Sequence, residues 1–419
     1  MSDDKDVIHE ALEQFKESQD GSDYNRLAYE EDLRFSRMSE QWPEEVARQR
    51  THDHRPMLTI NKLAPLIRQV VNESRQNKPA IKVSAVDNGS DVQTADVISG
   101  LVKSIERRSK ADVAYDTGID CAASGGFGFW RVGIDYAAPD SFDLEAKIIR
   151  IPNPLAVHWD VNSMSFDAAD WNYAFVSDLL SMEEFEAKYP KAQKVSFEGD
   201  NRDLVNNWLE NERVRVAEYF KKEMKEEDVI RLSNGQTYRE RDLERLAKTS
   251  FEAGGIDLGG MLKDGEMIQA FMNMKELEET RRRTSMFPDI RRRIITGAEV
   301  LEDDPWPGQY IPICPVWGDE VVLDGRRHFR SMIRDAKGAQ QMHNFWRTAA
   351  TELVALAPRA PFLMQESALP RESAEREKWQ NANTQSYPYL LYSDNSNMPV
   401  RQPFAGVPGG AVGEAISAN

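Results

Sequence analysis

The sequence predicts an α+β protein. Apolar residues recur at helical spacing in some stretches and alternate with polar residues in others, and tight turns between the alternating stretches favour antiparallel strands. The chain has 419 residues, of which 40% are hydrophobic and 29% are charged. This composition is close to that of an average globular protein, and the length suits two or three domains.

The first 54 residues predict two acidic amphipathic helices. They carry 15 acidic and 7 basic side chains, yet their apolar residues fall on helical faces. One face includes Val7 and Phe15, and a second includes Leu27 and Phe35, after a break at Gly21. Because each helix has an apolar side, we expect both to pack against the rest of the protein.

Four elements are predicted next. Asn61 is a suitable N-cap for a helix whose apolar pattern stops at Pro79. Residues 81–85 alternate as a half-buried strand, and two helices follow over 98–105 and 115–126. The second of these ends at paired glycines, which favour the left-handed conformation at a helix C-terminus.

The middle of the chain alternates between strand and helix patterns. Strands are predicted at 127–136, 145–151 and 171–177, and Ser181 with Glu184 forms a capping box that opens a short helix.

Beyond residue 210, strand patterns are separated by turns. Strands are predicted at 213–221 and 229–232, followed by a turn at Asn234-Gly235, and a glycine-rich loop is predicted at 254–265. A hairpin is predicted at Thr296-Gly297.

The stretch from 328 to 357 predicts the longest helix, with a break at Gly338. One helical stripe carries its apolar residues, namely Met342, Phe345, Trp346, Ala349, Leu353 and Leu356.

Charge and cysteine content exclude several classes of protein. There are 53 Lys and Arg against 70 Asp and Glu, a net charge of −17, so the protein does not wrap nucleic acid by bulk charge and any DNA contact must be local. The two cysteines, Cys121 and Cys314, exclude CxxC zinc clusters and predict a reducing compartment. The sequence shows neither a membrane-spanning run nor a signal peptide, which predicts a protein that is neither secreted nor embedded in a membrane.

No catalytic constellation emerges, so we predict neither enzymatic activity nor a cofactor. His52, Asp53 and His54 could hold a metal ion only on a strand or an irregular loop, and a solvated linker fits them better. The acidic pairs 303–304 and 319–320 could hold Mg²⁺, but pairs of this kind are expected by chance in so acidic a chain, and we predict solvated turns.

Two arginine triplets form the one basic region of any size. Residues 281–347 hold 12 basic and 9 acidic side chains. Two interpretations of these arginines stay open. They could pair with acidic neighbours, for instance in a subunit interface, or they could contact phosphate. The triplets are Arg281, Arg282 and Arg283, and Arg291, Arg292 and Arg293. Five tryptophans are predicted to pack in a core or an interface, namely Trp42, Trp130, Trp306, Trp317 and Trp346.

Several long segments resemble the portal proteins of short-tailed double-stranded DNA bacteriophages. The resemblance covers about residues 25–405, and its most distinctive parts are RPMLTINKLAPLIRQVVNESRQNKPAIKV (55–83) and FRSMIRDAKGAQQMHNFWRTAATELVALAPRAPF (329–362). Shorter matching segments are DLRFSRMSEQWPEEVARQR (32–50), AYDTGIDCAASGGFGFWRV (114–132) and GQYIPICPVWGDEVVLDGR (308–326).

The resemblance implies a non-enzymatic ring, usually of twelve subunits, at one vertex of the virion capsid, assembled in the host cytoplasm. Double-stranded DNA would pass through the ring without sequence readout, and the partners would be the terminase large subunit, tail adaptor proteins, the major capsid protein and scaffolding protein. An acidic channel would let the phosphate backbone slide. The arginine triplets would then serve subunit interfaces or terminase docking.

The resemblance also implies a domain order. It places a wing domain at 1–210, stem and α/β clip material at 211–325, and a long stem and wing helix at 326–360. Residues 361–419 would be the wing return and an incomplete C-terminal segment, because relatives of this type continue further. Two other functions stay open. One is a metal-dependent DNA-processing enzyme using His52, Asp53, His54 or the acidic pairs, with the arginine triplets holding phosphate, and the other is another tail or adaptor protein of the virion.

Overall fold

The computed structural model describes residues 2–77, 81–85, 92–190, 192, 208–210, 213–253, 264–356, 369–370, 372–381 and 390–391. It confirms a mixed α and β fold. The chain divides into two compact units, the first formed by residues 1–27, 78–122 and 126–330 and the second by residues 28–77, 123–125 and 331–419. None of the described helices is both long and apolar enough to span a membrane.

The helices of the first half of the chain are α1 (Ser2–Arg37), α2 (Glu44–His52), α3 (Leu63–Gln76), α4 (Val92–Ser109), α5 (Ala111–Gly125) and α6 (Met182–Lys188). Those of the second half are α7 (Glu240–Ala253), α8 (Asp264–Met274), α9 (Lys337–Leu356) and α10 (Ser373–Gln380).

All strands of the described residues lie in the first unit and pair antiparallel. They are β1 (Phe127–Tyr136), β2 (Leu144–Arg150), β3 (Val157–Trp159), β4 (Tyr173–Ser181), β5 (Leu209–Glu210), β6 (Arg213–Leu232), β7 (Thr237–Arg239), β8 (Glu279–Ile295), β9 (Val300–Trp306), β10 (Ile313–Trp317), β11 (Asp319–Leu323) and β12 (Arg326–Arg330). One sheet has the order β3-β4-β6-β8-β9, with β5 and β7 added along β6. A second has the order β10-β1-β2, and β11 pairs with β12.

The N-terminal region is one helix, so the prediction of two helices separated at Gly21 was wrong. A Cβ at Gly21 would lie 2.8 Å from Cγ2 of Val161. Glycine is therefore present because a neighbouring side chain touches the helix backbone, and its cost to helix stability, about 1 kcal/mol, is outweighed by packing. The expected packing of the first part of α1 is confirmed, because Ile8, Leu12 and Phe15 lie in a core with β4 and β6.

Several predicted elements are confirmed. Asn61 accepts hydrogen bonds from the backbone N–H groups of Leu63 and Ala64 at 3.0 and 3.2 Å and so caps α3. Helix α5 ends at Gly126, whose φ of +110° suits glycine. The Ser181 and Glu184 capping box opens α6 as predicted.

Three predicted elements were wrong. Residues 81–85 form no strand, because the Val83 backbone bonds to the Ser99 hydroxyl of α4 instead of to another strand. The strands predicted at 213–221 and 229–232 are one continuous strand, β6, because β8 pairs with it across the charged interval. The helix predicted from 328 begins only at Lys337, and the longest described helix is α1.

The missed strand β12 follows a two-residue hairpin turn. Asp324 and Gly325 both have positive φ, at 50° and 74°, as a type I′ turn requires, and Leu323 pairs with Arg326 across it. The Asp-Gly dipeptide is the sequence signal for this turn.

Some predictions lie outside the described residues. These are the glycine-rich loop up to residue 263 and nearly all of the segment 361–419.

Candidate interaction surface on the β6–β8 ribbon

Both arginine triplets lie on β8, one at each end of its pairing with β6. Strands β6 and β8 form a two-stranded ribbon, which runs from the pair Ala217 and Ile295 to the pair Leu232 and Glu279. Because side chains alternate across a strand, Arg282 and Arg292 point to one face while their triplet neighbours point to the other. Each triplet is therefore divided between the two faces of the ribbon.

The second triplet is paired on both faces. Strand β9 pairs with β8 only along residues 290–295 and contributes three consecutive acidic side chains at 302–304. Asp303 accepts a hydrogen bond from Arg291 at 2.9 Å and pairs with Arg293 at 3.3 Å. Asp303 raises the pKa of Arg291 through that hydrogen bond.

Arg292 lies at the centre of a group of carboxylates. It donates to Glu218 of β6 and lies 3.5 Å from both Glu302 and Asp304. Burial acts most strongly on the pKa of Arg292 and lowers it, but the hydrogen bond to Glu218 and the charges of Glu218, Glu302 and Asp304 together outweigh burial, and the pKa is raised. Arg131 of β1 also pairs with Glu218, so this carboxylate joins two guanidinium groups.

In the first triplet only Arg282 has an ion-pair partner among the described residues. It pairs with Asp228, Glu240 and Glu279 at 3.0, 3.1 and 3.0 Å. These carboxylates raise the pKa of Arg282, the hydrogen bond to Glu279 having the largest effect. The pKa of Glu279 is lowered by the same bond, and that of Asp228 is lowered by hydrogen bonds from Thr284 and then Arg282.

Arg281 and Arg283 are exposed, and neither guanidinium group makes a hydrogen bond or an ion pair with any residue that the structure describes. Arg231 of β6 lies directly opposite Arg281. It is also exposed, and its guanidinium group also makes no hydrogen bond or ion pair with a described residue. No sequence pattern singled out Arg231, because only the pairing of β6 with β8 brings it beside a residue 50 positions away.

The predicted acidic turns are strands, and that prediction was wrong. Asp303 and Asp304 lie in β9 and pair with the second triplet, while Asp319 and Glu320 lie in β11. Glu320 pairs with Arg327. Asp303, Asp304 and Glu320 therefore form ion pairs between neighbouring strands.

The residues 52–54 lie at the exposed end of α2. The imidazole of His52 has 89% exposure and lies 3.2 Å from Asp53, while His54 has a φ of 54°. Within the described ranges, no group of three or more His, Cys, Asp or Glu side chains has an arrangement that could hold a metal ion.

The five tryptophans differ in burial. Trp317 is buried and stacks on Phe329 with 4.1 Å between ring centroids. Trp42, Trp130 and Trp306 are partly buried beside Phe345, Tyr115 and Phe220, respectively. Trp346 is 54% exposed, together with its helical neighbours Met342 and Phe345.

Most of the conspicuous charged groups on this surface hold strands together. Comparison with known proteins identifies the family of this protein. The chain belongs to the Phage P22-like portal protein family, whose pattern it matches over residues 12–418. This family is a structural component of bacteriophages, and the resemblance found in the sequence is confirmed.

A curated relative agrees with the family. The "Portal protein" of Acyrthosiphon pisum secondary endosymbiont phage 1 is 24% identical over 294 residues, which cover 69% of this chain and 38% of the relative. The chain thus aligns with less than half of that protein.

Proposed function

We propose that this chain is a subunit of a phage portal ring of about twelve copies, which occupies one capsid vertex and conducts double-stranded DNA during packaging and ejection. The observation that carries the proposal is the family match over residues 12–418. The net charge of −17 supports it, because a channel wall that repels phosphate lets a duplex slide. We propose a structural role without catalysis or cofactor.

The proposal extends to domains and partners. Residues 1–210 would form the wing, 211–325 the stem and clip, 326–360 the helix that returns through stem and wing, and 361–419 the wing return. The partners would be the terminase large subunit, tail adaptor proteins, the major capsid protein and scaffolding protein, with assembly in the host cytoplasm. The exposed stripe of Met342, Phe345 and Trp346 supports a role in subunit contacts, because an apolar patch on a protein surface marks an interaction site.

Mass photometry and negative-stain electron microscopy of the purified chain test this proposal. We expect particles of about twelve copies with an axial hole of roughly 30 Å, wide enough for a duplex. A monomer at all concentrations up to those used for assembly would contradict the ring. In parallel, a duplex incubated with Mg²⁺ or Mn²⁺ is expected to stay intact, and cleavage lost in His54→Ala would favour a metal-dependent enzyme instead.

A further inference from the structure

Three arginines form a cluster on one face of the β6–β8 ribbon. Arg231 and Arg281 lie directly opposite each other, and Arg283 lies two residues from Arg281 on the same face. Residues two apart on a strand are separated by about 6.7 Å, so the three guanidinium groups share one small area. We call this area the arginine face.

The arginine face is unfavourable for the isolated chain. Like charges directly opposite on neighbouring strands destabilise a sheet. At the other end of the ribbon Glu218 and three acidic residues of β9 neutralise the arginines, but on the arginine face no described carboxylate does so. The carboxylate that follows along this face of β6, Glu227, pairs with Arg241 at 3.8 Å.

Protection of a sheet edge accounts for only part of the cluster. Beyond its pairing with β9, strand β8 has no described strand on its outer side, and charges on edge strands discourage pairing between molecules. Arg231, however, lies on β6 between β7 and β8, where both sides of the strand are already paired. Its charge therefore has another explanation.

The chemistry of the arginine face suits phosphate. Guanidinium groups bind phosphate oxygens through two parallel hydrogen bonds. Two hydroxyl groups lie beside them, since Thr237 of β7 is opposite Arg231 and Ser285 is two residues from Arg283. Hydroxyl side chains also donate to the phosphates of nucleic acids.

A protein partner is less well matched to the arginine face. Protein interfaces depend on large apolar or aromatic anchors that become buried at their centre. The apolar residues on this face are Val229, which is already buried, and Phe287, whose ring has the Arg239 guanidinium 5.2 Å from its centroid. The face therefore presents charge and hydrogen-bond donors without an anchor.

We propose that Arg231, Arg281 and Arg283 form a contact site for the phosphodiester backbone of duplex DNA. It is the local contact that a chain of net charge −17 requires if it is to touch DNA at all. Because phosphates repeat along every duplex, the contact has no sequence preference. The proposal rests on the proposed function only for the choice of duplex DNA as the ligand.

Fluorescence anisotropy with two unrelated 30-base-pair duplexes, measured on the full chain from 25 to 200 mM NaCl, tests this site. The test variant is Arg231→Gln/Arg281→Gln/Arg283→Gln. The control variant, Arg68→Gln/Lys103→Gln/Arg107→Gln, removes three exposed cations for which no partner is described, so its net charge is the same. The conservative variant replaces the three arginines of the face with lysine.

We expect the test variant to lose affinity by on the order of a hundredfold at low salt and the slope of log K against log salt to fall by about 2.7, which corresponds to three phosphate contacts. The control variant should keep the wild-type slope, the lysine variant most of it, and both duplexes should behave alike. Equal losses in test and control variants would show that only net charge matters. A test variant that binds the duplex with wild-type affinity would also overturn the proposal, and so would a wild-type chain that does not bind at 25 mM NaCl.

Two further readouts separate the alternatives. The first is competition with poly-L-glutamate. If it displaces the bound duplex as effectively as a competing duplex at the same concentration of negative charge, the arginine face is a site for an acidic protein instead. Mass photometry of the same samples reports ring formation. Rings with DNA binding independent of these arginines would refute the site alone, whereas arginine-dependent binding without rings would refute the proposed function alone.

Discussion

The two ends of the β6–β8 ribbon carry the same Arg-Arg-Arg sequence in different surroundings. At residues 291–293, β8 lies between β6 and β9, and both neighbours supply carboxylates to the arginines. At residues 281–283, β8 pairs with β6 on one side and with no described strand on the other, and two of its three arginines have no described partner. Identical triplets are therefore structural at one end and available to a ligand at the other, depending on the neighbouring strands.

The largest effect on stability is expected from Glu218→Ala, which removes the carboxylate shared by Arg131 and Arg292. Breaking one partner of a buried ion pair costs about 3–5 kcal/mol, and partial solvent access reduces this to roughly 2 kcal/mol here. Urea unfolding measures the change. Glu226→Ala on the same strand is the matched control, since Glu226 is exposed and without a described partner, and should change stability by less than about 0.5 kcal/mol.

Equal urea midpoints for the Glu218 and Glu226 variants would contradict the view that the second triplet is structural. The two ends of the ribbon would then no longer differ in stability.

A smaller effect is expected from Arg282→Ala, which removes the cation that pairs with three carboxylates at the first triplet's end. The side chain is 41% exposed, so a loss of about 1 kcal/mol is appropriate for a networked surface ion pair. Arg281→Ala is the matched control from the same triplet and should not lower the unfolding free energy. If both variants lose stability equally, the strand propensity of these residues, rather than the ion pairs, is the cause.

The difference between wild type and Arg282→Ala should also depend on pH. The folded-state pKa values of Asp228 and Glu279 are lowered, so their contribution is complete above their unfolded pKa values of about 4. It is lost as the pH falls through the lower folded values. Thermal unfolding midpoints of the two proteins should therefore differ at pH 7 and converge below about pH 4, whereas a constant difference would exclude the carboxylates as the cause.

The smallest effect, with the opposite sign, is expected from Arg281→Gln/Arg283→Gln. Removing like charges that face Arg231 relieves repulsion worth roughly 0.2–1 kcal/mol, so the double variant should be as stable as wild type or slightly more stable. Urea unfolding at low salt measures this, and the gain should shrink as added salt screens the charges. A clear loss of stability would show that these arginines have structural partners.

Local patterns in the sequence predicted the elements that depend on local interactions. Helix α3 with its Asn61 cap, the capping box of α6 and the C-terminal Gly126 of α5 are confirmed, because these signals act within one helical turn. The predicted break at Gly21 was wrong because the glycine makes room for the side chain of Val161, which is 140 residues away. A sequence pattern cannot show such a contact.

The site was predicted less completely than the fold. The six arginines of the two triplets were identified from their charge, but four of them pair with acidic residues, and Arg231 was missed. Arg231 is a single charged residue between Ile230 and Leu232, which pack against α7 and α8. Its position in the sequence therefore resembles that of any exposed residue in a strand. It becomes notable only through strand register.

Several properties follow from the order of the amino acids without a structure, namely the acidity, the helices with strong local signals and the resemblance to a portal family. Which arginines are neutralised depends on the folded structure, because pairing between β6, β8 and β9 brings together residues that are distant along the chain. Electrostatic interactions depend on distance in space and on solvent exposure, and neither can be read from the order of residues. Two triplets of the same three letters therefore acquire different surroundings only when the chain folds.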